Sequence, residues 1–439
     1  MANLEPAGAR RGLLRVLGAS FALAVGIGAT IGAGILRTPG EVAAHLPNAV
    51  LFMAAWVLGG VNALMGATAY SELAAMMPQS GGPYVYVRRA LGPLPGFFAG
   101  YSDWINQCAT LAAVGLLVGE YLPVLVPLLS GHAVMTAVAV LGGLAVLQWV
   151  GVRSAGWLQE VTTVVKALAL LAVAAAAFFV APAAPSGVVE SRETSLVLAF
   201  ALAMQGVVFT YDSYYWMVYY GEDLTAPERD IPRSMFRGLA VIIVVYLLLN
   251  VAFLRLLPMD QLAGESFAGG ALAAVIFGQH GDAVIRGIMI VSLLGALNAQ
   301  LLAAPRILYA MAGDRLFPSR GLVVSARGTP SIGLVVTLVV TALFLLSGTF
   351  TAVLAAISVI IVVNYVLIYA SLFMLRRREP DAPRPYRAWG YPWVQSVAFG
   401  IALAFLVGVA VGDPRGTLLG AGVLAAAVPV YLLVARFSR

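Results

Sequence analysis

The chain has 439 residues, 61% of them hydrophobic and only 10% charged, against an apolar share of about half in water-soluble domains. That balance excludes an ordinary soluble enzyme, and the formal net charge of +6 needs a reading other than an exposed nucleic-acid-binding face. Cys108 is the only cysteine and Lys166 the only lysine, which excludes a disulfide framework, a thiolate metal site and a Walker A loop.

A helix crossing hydrocarbon needs roughly 20 apolar residues. About twelve such stretches follow one another, centred near residues 25, 62, 107, 140, 168, 205, 247, 297, 340, 362, 402 and 425. An all-α membrane protein is expected, with loops too short to hold a catalytic domain. The first stretch follows Arg10, Arg11 and Arg15 and has the look of a signal peptide, but its glycines run directly into further spans, so a retained first span is expected. With the N-terminus on the cytoplasmic side, nineteen arginines fall inside, and only Arg192, Arg255, Arg286 and Arg415 fall outside. This asymmetry places both termini of a multi-pass protein in the cytoplasm, and the expected location is the cell's inner (cytoplasmic) membrane. The basic charge is thus a topology signal, and no nucleic-acid partner is expected.

Inside the first span, the run from Gly26 to Gly34 holds four glycines in nine residues, each weakening a helix by up to about 1 kcal/mol relative to alanine. Such a run suits close helix packing through small residues, or a broken helix whose freed amides and carbonyls line a polar cavity. The sixth span decides for the second reading. There Thr210, Tyr211, Asp212, Ser213 and Tyr214 put a carboxylate and several hydroxyls in an apolar segment, where a charge costs about 2.5 to 3.5 kcal/mol. The interruptions lie five spans apart, an odd number, so the two blocks enter the membrane from opposite sides as 5+5 inverted repeats. The expected organisation is a cytoplasmic tail over 1–13, repeats over 14–181 and 194–375, a basic cytoplasmic loop over 376–391 and two peripheral helices over 392–435.

Several segments in the same order resemble the amino acid, polyamine and organocation (APC) superfamily, closest to its prokaryotic amino acid permeases. Thr30 to Leu36 looks like the first-span glycine motif. Tyr70 to Leu73 with Pro78 to Tyr84 is similar to the second-span end and re-entry loop, Pro227 to Arg233 to the loop after the sixth span, and Pro380 to Pro392 to the tenth-span exit. The resemblance implies a LeuT-like fold with broken first and sixth helices, alternating access, and secondary active transport of an amino acid. It also implies sodium independence, because a fifth-span lysine, here Lys166, stands where related sodium-coupled transporters bind a cation. Coupling is then to protons or by exchange.

The amides of Gly32, Ala33 and Gly34 are the expected anchor for a substrate carboxylate, since a half-helix N-terminus presents unpaired N–H donors and about half a positive charge. The carbonyls of Thr30, Phe209 and Asp212 are the expected acceptors for an α-ammonium. Ser213 and Tyr214, where the family usually has Gly-Trp, are expected to read the side chain. Asn106 and Gln107 in the third span are further pocket candidates, as are Asn298, Gln300, Ser358 and Asn364, though interhelical hydrogen bonds explain such residues equally well. Glu72 is expected to pair with loop arginines. Asp212 suits a capping role, proton carriage or a cationic substrate group. The alternatives in function are a polyamine or organic cation transporter and a transporter-like sensor or channel. His45, His132 and His280 are scattered, and neither cofactor, metal nor enzymatic activity is expected. The expected partners are a small-molecule substrate, bilayer lipid and, under proton coupling, protons.

Overall fold

The computed structural model describes residues 12–46, 48–183, 195–347 and 350–437. The topology assignments of Arg10, Arg11, Arg192 and Arg439, and nearly all of the 1–13 tail, lie outside the described residues.

Helix α1 (Ala19–Thr30) and helix α2 (Gly34–His45) meet at a 41° bend. They are followed by α3 (Ala49–Met76), a short α4 (Pro83–Leu91), α5 (Pro93–Leu125), α6 (Ala133–Val150), α7 (Val152–Ala176) and α8 (Leu196–Tyr211). After a turn region come α9 (Pro227–Leu256), the short α10 (Met259–Leu262) and α11 (Ala268–Phe277), then α12 (Gly281–Gly313), α13 (Ser331–Ser347), α14 (Phe350–Arg378), α15 (Trp393–Gly412) and α16 (Pro414–Phe437). Each of the twelve expected span centres falls in a different helix. Among the described residues nine helical segments are long and apolar enough to cross a bilayer, the bent α1 and α2 pair makes a tenth, and α8 and α13 are apolar but shorter. The protein is a multi-pass, all-helical membrane protein.

Local chemistry sets the helix ends. The Asn48 carboxamide accepts from the Leu51 N–H at 3.0 Å and caps α3. Pro83, Pro93 and Pro227 open α4, α5 and α9, where a missing N–H costs nothing. Gly92, at φ +102°, is alone between α4 and α5, a reversal that an L side chain would strain.

Packing arranges the helices around α1. It runs against α7, α9 and α12, while α2 lies on α8, α3 packs on α9, and α5 packs on α12. The spanning part of α12 is mostly buried, whereas α15 and α16 are mostly exposed and lie at the edge.

Two ionic knots hold one end of the bundle. Glu72, buried at the end of α3, accepts from Arg376 at 2.5 Å, Arg384 at 3.1 Å and the Ala388 amide at 2.7 Å. Its carboxylate thereby pins the arginine-rich segment after α14 to the bundle, the pairing expected for Glu72. The second knot is fully enclosed. Arg306 of α12 grips Asp223 through two parallel bonds of 2.7 and 2.8 Å and also donates to the Leu302 carbonyl. The Asp223 carbonyl accepts from the Val16 and Leu17 amides at 3.0 and 2.9 Å, and Ser80 donates to its carboxylate at 3.4 Å. One buried pair therefore joins α12, the segment before α1, the loop before α4 and the loop before α9. Beside it, burial raises the Glu222 carboxyl above its ordinary pKa.

Removing one partner of such a pair strands the other without water. Arg306→Met is expected to lower stability by about 3–5 kcal/mol, read as a fall in the thermal unfolding midpoint in detergent. A midpoint equal to that of the parent protein would show the pair to be energetically idle.

Candidate functional site

Only part of the glycine run is unwound. Gly26 and Gly28 remain helical within α1, and the break covers Ile31 to Ala33. The glycines do different things. A Cβ on Gly26 would stand 2.6 Å from the Met217 methyl, and one on Gly28 would overlap Thr163 and Gln159, so these two admit close neighbours. On Gly32 it would meet nothing within 4 Å, so the break borders open space on the α-carbon's side. On Gly34 it would lie 3.2 Å from the Thr210 methyl of α8. Close packing and an open break thus share one run of sequence.

The second interruption has a different form from the first. Helix α8 ends at Tyr211, Ser213 adopts a left-handed conformation at φ +74°, and only a single 3-10 turn, Trp216–Tyr219, follows before α9. No second apolar half-helix forms, because the left-handed Ser213 turns the chain out of the helical path. Ser213 occupies the position where glycine is usual in the resembling family, and a left-handed conformation costs a non-glycine residue roughly 1–2 kcal/mol.

One side chain joins the two breaks. The hydroxyl of Tyr246, on α9, lies 2.8 Å from the Thr30 carbonyl and 3.0 Å from the Thr210 carbonyl, donating toward both helix ends. Trp56 lies edge-on to Tyr246 and 6.1 Å from Tyr211. The Thr30 carbonyl, expected to be open for an ammonium, therefore already carries a protein donor. The Phe209 carbonyl likewise accepts the Asp212 amide at 3.2 Å, and the Phe209 ring packs on Phe405 of α15. Carbonyls at a break in hydrocarbon are taken by the nearest donor, which composition alone does not reveal.

Around Asp212 stands a wall of tyrosines. Tyr365 of α14 donates to the Asp212 carboxylate, and Ser213 lies 3.3 Å from its other oxygen. The Tyr70 and Tyr215 rings are stacked at 4.2 Å, with Tyr214 and Tyr365 edge-on to Tyr70. Asp103 of α5 is buried and accepts from Tyr219 at 2.7 Å, with Gln107 also bonded to it. Gln107 is thereby committed to Asp103, while Asn106 is half-buried one position earlier and accepts from Thr110 at 3.4 Å. Asn298 belongs to an interhelical network with Gln148, Gln159 and the Ala155 carbonyl. In the sequence Tyr70 stands out only as the start of a family segment, and Tyr246 and Tyr365 do not stand out; the available signal is a hydroxyl in an apolar run, which needs a partner when buried.

Lys166 on α7 is fully buried, and its ammonium donates to the Gly28 carbonyl of α1. Three residues earlier, Thr163 donates to the Ala24 carbonyl at 2.9 Å. Adjacent turns of α7 thus hold α1 just before its break.

The amino acid permease profile matches residues 17–434. The chain belongs to the amino acid permease family. Across 96% of its length it is 28% identical to the serine/threonine exchanger SteT of Bacillus subtilis (strain 168), covering 97% of that protein. Over 96% of the chain it is 27% identical to the large neutral amino acids transporter small subunit 2 of Rattus norvegicus, covering 81% of it. The Asc-type amino acid transporter 1 of Mus musculus is 27% identical over 97% of the chain and 82% of that protein. A solved structure of Mhp1, a nucleobase-cation-symport-1 family transporter in a closed conformation with bromovinylhydantoin bound, shares the fold. It superposes at a TM-score of 0.52 with 16% identity, over 99% of this chain and 96% of that one. This permease is therefore a transporter by family and not an enzyme.

The strained Ser213 gives a direct test. Ser213→Gly in the permease is expected to raise stability by about 1 kcal/mol by relieving the left-handed strain, seen as a higher unfolding midpoint. A lower midpoint would mean that the hydroxyl contact with Asp212 outweighs the strain.

Proposed function

We propose that this permease carries amino acids across the inner membrane by alternating access, with both termini cytoplasmic and without sodium. The observation that carries the reading is the unwound Ile31 to Ala33 segment, with open space at Gly32, placed beside the end of α8 and tied to it through Tyr246. The amides of Gly32, Ala33 and Gly34 take the substrate carboxylate. Among the expected ammonium acceptors, the Asp212 carbonyl and the second lone pairs of Thr30 and Phe209 take the other end, and Ser213 and Tyr214 face the substrate side chain. The residue ranges 14–181 and 194–375 serve as the two inverted repeats, and twelve spans cross the bilayer in all.

The Lys166 bond to the Gly28 carbonyl supports a coupling role, because an ammonium takes the place of a bound monovalent cation at a first-span carbonyl. Proton coupling and exchange both fit this lysine, and the likeness to a protein named as a serine/threonine exchanger supports exchange. A second reading, a cationic substrate, draws on Asp103 and Asp212. Both carboxylates lie among the spans with tyrosine partners, Tyr219 and Tyr365.

The test is uptake of labelled amino acids and amines into proteoliposomes preloaded with unlabelled substrate, under imposed sodium or proton gradients. Uptake is expected to be saturable and indifferent to sodium. Lys166→Ala is expected to keep its fold and lose at least about tenfold in flux, the equivalent of about 1.4 kcal/mol. Strict sodium dependence, or full flux in Lys166→Ala, would remove the lysine from the mechanism, and preference for amines over amino acids would establish the second reading.

A further inference from the structure

Helices α8 and α15 both lean on α3, and between the three lies an open cleft of about 480 Å³. Its walls are apolar residues such as Leu58, Met65, Leu202 and Phe405, and among the described residues no charged one lines it. From Leu198 to Val208 it follows α8 for about 15 Å at helical rise. At its deeper end it shares Asn62, Val208, Ile401 and Phe405 with a narrow crevice bounded by Tyr211, Tyr214, Tyr365 and Tyr369. The cleft therefore runs from the bilayer to the tyrosines that surround Asp212.

Two amide side chains stand in its wall. Asn62 of α3 and Gln205 of α8 make no side-chain hydrogen bond among the described residues. In water such amides would be solvated, but facing hydrocarbon an unpartnered amide is unfavourable. A ligand that filled the apolar walls and offered a hydroxyl to these amides would remove that cost. The uncharged lining calls for a neutral head, and room of about 480 Å³ drawn out along α8 suits one alkyl chain better than two.

We propose that the cleft between α3, α8 and α15 binds a neutral single-chain amphiphile taken from the bilayer, with its hydroxyl at Asn62 and Gln205. Bound there, it braces Tyr214 and Tyr365, the side chains next to Ser213 and Asp212, and slows any rearrangement of the second break. This consequence for flux rests on the transport reading; the binding itself does not.

The probe is hexadecanol carrying a photoactivatable diazirine, added to the full-length protein in lipid vesicles. Labelling is expected to concentrate on the cleft segments of α3, α8 and α15 and to be displaced by excess unlabelled hexadecanol. A Cβ on Gly408, which lines the cleft, would meet nothing within 4 Å, so Gly408→Trp is expected to keep its unfolding midpoint while losing at least about tenfold of that labelling. Hexadecanol is expected to lower maximal flux without changing KM in the parent protein, and to do neither in Gly408→Trp. Labelling that spreads over all exposed helices without displacement, or that survives in Gly408→Trp, would overturn the site. Saturable labelling with unaffected flux would overturn the brace on the tyrosines. Absence of flux from the parent protein itself would count against the transport reading and leave labelling to decide the site.

Discussion

A helix interrupted at hydrocarbon depth must find partners for the backbone groups it releases, because no water is there to take them. The two breaks in this permease meet that requirement partly through each other. The hydroxyl of Tyr246 is shared between the Thr30 and Thr210 carbonyls, so each interrupted end supports the other through one oxygen on α9. Separating the ends would expose a carbonyl to hydrocarbon, and this gives α9 a structural reason to lie beside α1 and reach the end of α8. The contact of Gly34 with the Thr210 methyl and the edge-on packing of Trp56 on Tyr246 lie around that shared donor.

Small residues make the arrangement sterically feasible. Gly26 and Gly28 let Met217, Thr163 and Gln159 reach the backbone of α1, and Gly66 makes room on α3 for the Tyr214 hydroxyl. The Lys166 side chain reaches the Gly28 carbonyl across this thinned surface. The run that weakens the helix also lets a cation approach it, so the two readings of the glycines are complementary. The ionic knots do comparable work at one end of the bundle, where Asp223 and Glu72 each gather several segments distant in sequence.

Much of the fold was legible because its causes are local. Long apolar runs, prolines at helix starts and the glycine run all act within a few residues, and the twelve span centres each found a helix. The family resemblance likewise rested on short segments that the full-length match supports. The site was only partly legible. Lys166 stood out by its rarity and Asp212 by its cost, whereas Tyr246, Tyr365 and Tyr70 are ordinary residues whose meaning comes from distant partners. The form of the second break was not legible either. It depends on Ser213 holding a left-handed conformation, and serine gives no sign of that in a linear reading.

Trp56 is fully buried, with its indole edge-on to the same Tyr246 that holds both carbonyls and close to Tyr211 at the end of α8. Trp389 and Trp393, by contrast, are 53% and 79% exposed. The protein thus carries intrinsic fluorophores in two settings. Emission from the buried Trp56, Trp104 and Trp216 reports the interior, the packing around both interruptions included, while Trp149, Trp157, Trp389 and Trp393 report the surroundings, and a collisional quencher separates the two groups without any attached dye.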